Sequence, residues 1–398
     1  MPHDVALIAT VAMSLGYALV GGVIAARLKL SPIVGYLLAG IAAGPFTPGF
    51  VADKGLAEQL AEIGVILLMF GVGMHFSMKD LMAVRWIAVP GALVQMAAAT
   101  ALGAGLALAW GWSTGGAVVF GLALSVASTV VLLRALEDRQ SLASEEGHIA
   151  IGWLIVEDMA MVLALVLLPA LAGAGGSTGP GPASLAVHLA VTLAKVAAFV
   201  LVMLVGGTRL LPWLLDQVAR TGSRELFTLA IVAVALGVAF GSAELFGVSF
   251  ALGAFFAGIV INTSDHSHRA AMDSQPLQDA FGVLFFVSVG MLFDPAILVQ
   301  EPLKVAAVVA IILVGKALAA FLIVLAFRRP LRLALGIAAS LAQIGEFSFV
   351  LAVLGGSLGL LPPNAESLIL AGALISITVN PFVFRLAHWL ERRVSHGA

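Results

Sequence analysis

About thirteen apolar stretches follow one another along this chain of 398 residues, near 5–26, 31–48, 57–75, 83–109, 114–136, 147–171, 184–210, 224–243, 247–262, 277–292, 302–327, 331–357 and 366–390. A helix of roughly 20 residues, rising about 1.5 Å per residue, covers the hydrocarbon core of a bilayer, about 30 Å thick. The connections are short, and no stretch is long enough for a soluble domain. The expected fold is therefore an all-α polytopic membrane protein with a single membrane domain over 1–398. Composition agrees: 11% of the residues are charged, against about 25% in a soluble domain. The opening MPHDVALIAT lacks the basic region of a signal peptide, so the first stretch is kept as a helix. The longest neutral connection, Ala172–Ser184, is a Gly/Pro/Ser loop.

Orientation follows from where Lys and Arg fall. With the connections numbered in order, the odd ones and the C-terminal end hold sixteen of the twenty, and the even ones hold only Lys54 and Lys304. Lys195 and Lys316 sit inside helices. This bias places the N-terminus outside and the C-terminus in the cytoplasm, which needs an odd number of crossings.

An internal repeat is also visible. Leu38-Ala39-Gly40-Ile41 parallels Phe256-Ala257-Gly258-Ile259, and Gly64–Met74 parallels Gly282–Met291, both beginning at an offset of 218 residues. GLALS from Gly121 parallels GIAAS from Gly336 at a nearby offset. The units, near 31–171 and 247–390, start seven segments apart. Seven is odd, so the second is inserted upside down. Inverted repeats are a known build for secondary transporters, with the ion site at the repeat interface near the midplane. Shared Gly, Ala, Leu and Val among apolar helices is the plainer explanation of any one match.

The polar residues inside these stretches carry the chemistry. Glu157 and Asp158 interrupt the sixth, roughly 16 Å along the helix from Gly147, close to mid-membrane. One intramembrane charge costs at least about 2.5–3.5 kcal/mol. Two in succession point to a polar site between helices rather than to contact with lipid. The fifth stretch has Ser125, Ser128 and Thr129 near its middle. The twelfth has Gln343, Gly345, Glu346 and Ser348 at the corresponding place. Helices broken there expose carbonyls and half-helix ends that can coordinate a cation. Ser and Thr also bond to their own backbone, and Gly also permits close helix packing. Lys316, halfway along the eleventh stretch, is too deep to snorkel easily and calls for a carboxylate partner, which Glu157 or Asp158 would supply. Lys195, outside the two repeats, reads as structural.

The pair within GWLIVEDMAMVLALVLLPAL, the preceding LSVASTVVLLRAL and the later AQIGEFSFVLAVLG resemble the bacterial Kef/YbaL type of monovalent cation:proton antiporter, in the second cation:proton antiporter family. The resemblance covers essentially the whole chain. It implies two crossed, partly unwound helices meeting beside a helix with an acidic pair, the second member being the ion- and proton-binding aspartate. That implies Asp158 as the carrier carboxylate. Glu157 is the first member of the pair, Thr129 and Ser128 lie on the unwound crossing helix, and Lys316 is the lysine of the later repeat. Gln343 and Glu346 are the polar residues of the second crossing helix. Kef systems often have Gln before the Asp and sodium antiporters Asp-Asp or Asn-Asp, so Glu-Asp leaves K⁺ and Na⁺ both open. The resemblance tilts toward K⁺, and it implies a homodimer in a bacterial inner membrane. Relatives commonly carry a cytoplasmic nucleotide-binding domain after the membrane part. No GxGxxG follows the last helix here, which leaves open a short member or a piece of a longer, regulated protein.

The expected mechanism is exclusive occupancy. Asp158 holds a proton or a dehydrated monovalent cation, not both, and the bare carboxylate does not cross the low-dielectric barrier cheaply. Glu157 has two open roles, a strut for Lys316 or a second titrating site. A cation channel would need a continuous pore and a filter such as TVGYG, which is absent. A sodium-coupled symporter of an organic solute would need more aromatic and hydrogen-bonding groups than this site offers. An enzyme is not expected, because there is no HExxH, GxSxG or cysteine. No cofactor, metal site or nucleic-acid partner is expected either. His266 and His268, with Asp265 and Arg269, are a weak metal signal and read as a solvated loop. His75, His148 and His388 fall at segment ends or in loops, and Glu62 and Glu244 at membrane interfaces. The expected partners are monovalent cations, protons and membrane lipid.

Overall fold

In a computed structural model of the chain, which describes residues 3–47, 53–75, 78–142, 144–172 and 182–395, every regular element is helical. Nine helices among the described residues are long and apolar enough to cross a membrane, and Leu331–Leu341 with Glu346–Ser357, bent by 42° at the break, makes a tenth. Pro32–Ala43 and Phe250–Asn262 are shorter apolar helices. Ser267–Met291 joins a polar first half to the apolar run FGVLFFVSVGM. These together account for the thirteen stretches, with some limits moved. The tenth stretch begins ten residues earlier, so His268 lies in a helix rather than a loop. The seventh continues to Ala219 through a wide π-helical turn at Met203–Gly207. Most of the loop expected at Ala172–Ser184 lies outside the described residues.

The chain divides into two compact units, each drawn from separated stretches. One comprises residues 1–19, 42–76 and 162–291. Within it, Lys54–His75 packs against Phe250–Asn262 and Ser267–Met291. A Cβ on Gly73 would lie 2.1 Å from the Phe255 carbonyl oxygen, and one on Gly258 would lie 2.2 Å from that of Phe70. The repeated glycines therefore let two backbones touch, as small residues do between membrane helices.

The other unit comprises residues 20–41, 77–161 and 292–398. In it Met78–Ala109 packs along Thr114–Ser125, and Ala317–Ala326 along Leu331–Leu341. The last helix, Ala365–Ser395, packs on both halves of the bent pair. Trp153, Leu132, Leu136, Ile149, Val324 and Ile337 form part of a shared core, with Trp153 fully buried. Two spans of this unit that carry buried polar residues are strongly enclosed. Buried residues make up 72% of the Thr114–Leu133 span and 61% of Glu145–Leu165, against 22% for Ala6–Arg27. Polar groups at membrane depth are tolerated where protein, not lipid, surrounds them.

Candidate ion site

The fifth stretch is not one helix. It ends as Thr114–Ser125, runs extended at Val126, and restarts as Thr129–Asp138. The twelfth does the same, with Leu331–Leu341 and Glu346–Ser357 separated by Ala342–Gly345. Each break leaves unpaired carbonyls at one half-helix end and unpaired N–H groups at the other, with opposite partial charges. The two breaks cross. A Cβ on Gly345 would fall 2.1 Å from Ser128 Cβ, so only glycine lets the strands meet there. The meeting is reciprocal. The Ser128 N–H donates to Gln343 Oε1 at 2.9 Å, and Gln343 Nε2 donates to the Ser128 carbonyl at 3.2 Å. Ser128 Oγ donates to Glu346 Oε2 at 2.7 Å and accepts from the Val131 N–H at 3.3 Å. Ser128 and Gln343 are 215 residues apart, the offset between GLALS and GIAAS. Each break is thus held by its own repeat counterpart.

Charged side chains match the remaining half-helix ends in sign. Glu157 Oε2 accepts from the Ala127 N–H at 2.8 Å, capping the first break. Thr129 Oγ1 donates to Asp158, at 3.1 Å from Oδ2 and 3.5 Å from Oδ1. On the other side, Lys316 Nζ donates to the Gln343 carbonyl at 3.0 Å. Lys316 closes a π-helical turn, Ile311–Lys316, a local widening often found where a helix serves a site. The sequence led us to expect a carboxylate beside Lys316. Its hydrogen bond goes instead to a carbonyl.

All seven expected residues, Ser128, Thr129, Glu157, Asp158, Lys316, Gln343 and Glu346, belong to this one unit. The hydrogen bonds above draw them to one crossing. Glu157, Asp158, Lys316, Gln343 and Glu346 are each no more than 3% exposed. Glu157 Oε1, Glu346 Oε1 and Ser348 Oγ are buried with no hydrogen-bond partner among the described residues. A buried carboxylate oxygen in that condition is costly unless a proton or cation visits it. Among the described residues, Asp158 has one hydrogen-bonding partner. Its two oxygens share one threonine hydroxyl, although a carboxylate offers about four acceptor sites.

Two residues passed over in the sequence complete the frame. Gln95, fully buried, donates from Nε2 to the Ser125 carbonyl at 3.0 Å and accepts from Trp153 Nε1 at 3.3 Å. It serves the first break as Lys316 serves the second, with an amide in place of an ammonium. Its signal was a lone amide inside the apolar run 83–109. The other titratable residues stand apart from the crossing. Lys195, Glu62 and Glu244 are exposed. His266 Nε2 lies 2.7 Å from Asp216 Oδ1. Among the described residues, no three His, Cys, Asp or Glu side chains are grouped to hold a metal ion. The His75 side chain lies outside the described ones.

The family model described as "Sodium/hydrogen exchanger, transmembrane" matches residues 14–388. The chain is 62% identical over 386 residues to the putative cation/proton antiporter YbaL of Escherichia coli (strain K12), covering 97% of this chain and 69% of that protein. It is 34% identical over 385 residues to K(+) efflux antiporter 4 of Arabidopsis thaliana, covering 96% of this chain and 64% of that one. The solved structure of the sodium proton antiporter MjNhaP1 from Methanocaldococcus jannaschii at pH 8 superposes with a TM-score of 0.66 at 18% identity, covering 96% and 97% of the two chains. At that identity the likeness concerns the fold.

Proposed function

The chain belongs to the sodium/hydrogen exchanger family, and from that premise we propose how it exchanges a monovalent cation for protons. Asp158 is the carrier carboxylate, and the observation that carries this is its place: 3% exposed, bonded among the described residues only to Thr129 Oγ1, at the crossing of two broken helices. A dehydrated cation would take Asp158 oxygens, Thr129 Oγ1 and carbonyls of the break in place of its water. A proton on Asp158 removes the anionic ligand, so the two occupants exclude each other. Either occupant cancels the carboxylate's charge, and only the compensated forms cross the low-dielectric barrier at modest cost. Glu157, Gln95, Gln343 and Lys316 hold the half-helix ends in place for both occupants, and the unit bearing the crossing moves as one body in alternating access.

K⁺ is the preferred cation in this reading, supported by the plant relative whose name specifies K⁺ efflux. The N-terminus faces outside and the C-terminus the cytoplasm of a bacterial inner membrane. The working form is a homodimer whose protomer is one membrane domain over 1–398, built on repeats near 31–171 and 247–390. A nucleotide-binding domain of the kind common among relatives would act from the cytoplasmic side. Channel and organic-solute symporter readings gain nothing from the relatives or the fold.

Proteoliposomes with a trapped pH dye test the proposal. Adding K⁺, Na⁺, Li⁺ or Rb⁺ in turn should release protons, most with K⁺. Asp158→Asn should abolish the response with each ion while the protein stays folded. Normal exchange by that variant would remove Asp158 from the carrier role.

A further inference from the structure

The last helix carries a second feature that ion exchange does not use. A cavity of about 380 Å³ is lined by Lys29, Arg139, Arg385, His388 and Arg392, and among the described residues its wall holds no acidic side chain. The whole chain has a net charge of −2, so this concentration of positive charge is local. Arg139 is already paired with Glu146 at 2.9 Å. Lys29 and Arg385 have no carboxylate partner among the described residues and are exposed. An adjoining cavity of about 370 Å³ shares Lys29 and is bordered by Ser31, whose buried Oγ has no hydrogen-bond partner among the described residues. Such walls repel the transported cation. They suit an anion.

The same helix says what kind. Pro381, Arg385, His388 and Arg392 recur at three- and four-residue intervals and form one stripe, facing the cavity. The neighbouring stripe is apolar and bare: Phe382, Leu386, Trp389 and Leu390 are 53%, 55%, 44% and 37% exposed. Arg393 stacks on Trp389 at 4.2 Å, the pairing of aromatic and cation found where a membrane helix meets the headgroup layer. A ligand that fills both stripes has a phosphate at one end and hydrocarbon at the other. We infer that this cavity binds the headgroup of an anionic phospholipid, with its acyl chains along Phe382, Leu386 and Leu390. Basic pockets between membrane helices commonly hold such headgroups. Arg139 and Ala135, at the end of the half-helix that starts at Thr129, line the cavity. Bound lipid therefore steadies one half of the first broken span.

The test uses the purified full chain in non-ionic detergent, titrated separately with phosphatidylglycerol, phosphatidylcholine and inorganic phosphate, and read by native mass spectrometry and thermal melting. Phosphatidylglycerol should bind and raise the melting temperature, with phosphatidylcholine and phosphate doing neither. Lys29→Gln with Arg385→Gln should weaken phosphatidylglycerol binding roughly tenfold or more, on the scale that basic residues contribute at a membrane surface. Both side chains are exposed, and Arg385→Gln alone should give a partial loss if the double variant is unstable. Asp158→Asn should bind lipid normally, so the result is independent of the ion-exchange assay. Equal responses to both lipids, unchanged binding by the variants, or a full response to phosphate alone would each overturn the assignment.

Discussion

Glu157 and Asp158 are adjacent, yet their carboxylates meet different parts of the first break. Glu157 takes a backbone N–H at Ala127, whereas Asp158 takes a side-chain hydroxyl at Thr129. A backbone cap is a fixed partner; a hydroxyl can rotate to suit a proton or an ion. This difference supports the proposed division, with Glu157 holding the break and Asp158 carrying. Glu157→Gln keeps an amide oxygen for the Ala127 N–H and loses the charge that faces Lys316. The variant should still exchange cations, with stability lower by about 1.5–3 kcal/mol, the usual worth of a charged hydrogen bond; a urea or thermal melt in detergent measures it. A well-folded Glu157→Gln that transports nothing would make Glu157 a second carrier. At this scale the sequence is most readable where lipid makes a residue expensive. Glu157, Asp158 and Lys316 stand out for that reason. Gln95 does not, because an amide in an apolar run is cheap enough to pass unnoticed. Its role appears only when the Ser125 carbonyl, thirty residues along the chain, is brought to it.

The breaks are the element on which this geometry depends, and they differ in how they are made. The second contains Gly345, a weak helix former. The first, Val126-Ala127-Ser128, has no glycine or proline and gives no local reason to stop a helix. It is held open from outside, by Glu157 at Ala127 and by Gln343 on both sides of Ser128. Polar residues in mid-span mark where to look, but the position of the first break is a tertiary fact that propensity does not contain. The crossing itself rests on the missing side chain of Gly345. Gly345→Ala puts a carbon 2.1 Å from Ser128 Cβ, and neither strand can yield without losing the Ser128–Gln343 bonds. The cost should be at least about 1–3 kcal/mol, as for overpacking generally, with exchange reduced far more than folded yield. Gly105→Ala is the control. Nothing lies within 4 Å of its added carbon, so both melting temperature and exchange should stay near those of the parent protein.

At the scale of the molecule, the number and order of spans follow from hydropathy alone, because lipid allows few alternatives to a helix. Grouping does not. Each compact unit is assembled from separated stretches of chain, and the glycine contacts that help to bind one of them, Gly73 at Phe255 and Gly258 at Phe70, do not reveal their partners in sequence. Orientation is the reverse case: it is encoded in the loops by charge, and helix packing carries no sign of it. In the proposed orientation, which rests on the bias of sixteen Lys and Arg against two, Thr221 lies in the cytoplasm and Ser357 outside. The chain has no native cysteine, so single substitutions report without background. Both residues are exposed, and among the described residues their hydroxyls bond locally, Thr221 donating to the Val218 carbonyl and accepting from the Ser223 N–H, Ser357 donating to the Leu354 carbonyl, so cysteine should be tolerated at each. In intact cells, a membrane-impermeant maleimide should label Ser357→Cys and leave Thr221→Cys unmodified until the membrane is opened. The opposite pattern would invert the molecule. The cavity with Lys29 and Arg385 would then face the outer leaflet, and the carrier cycle would have to be read from the other side.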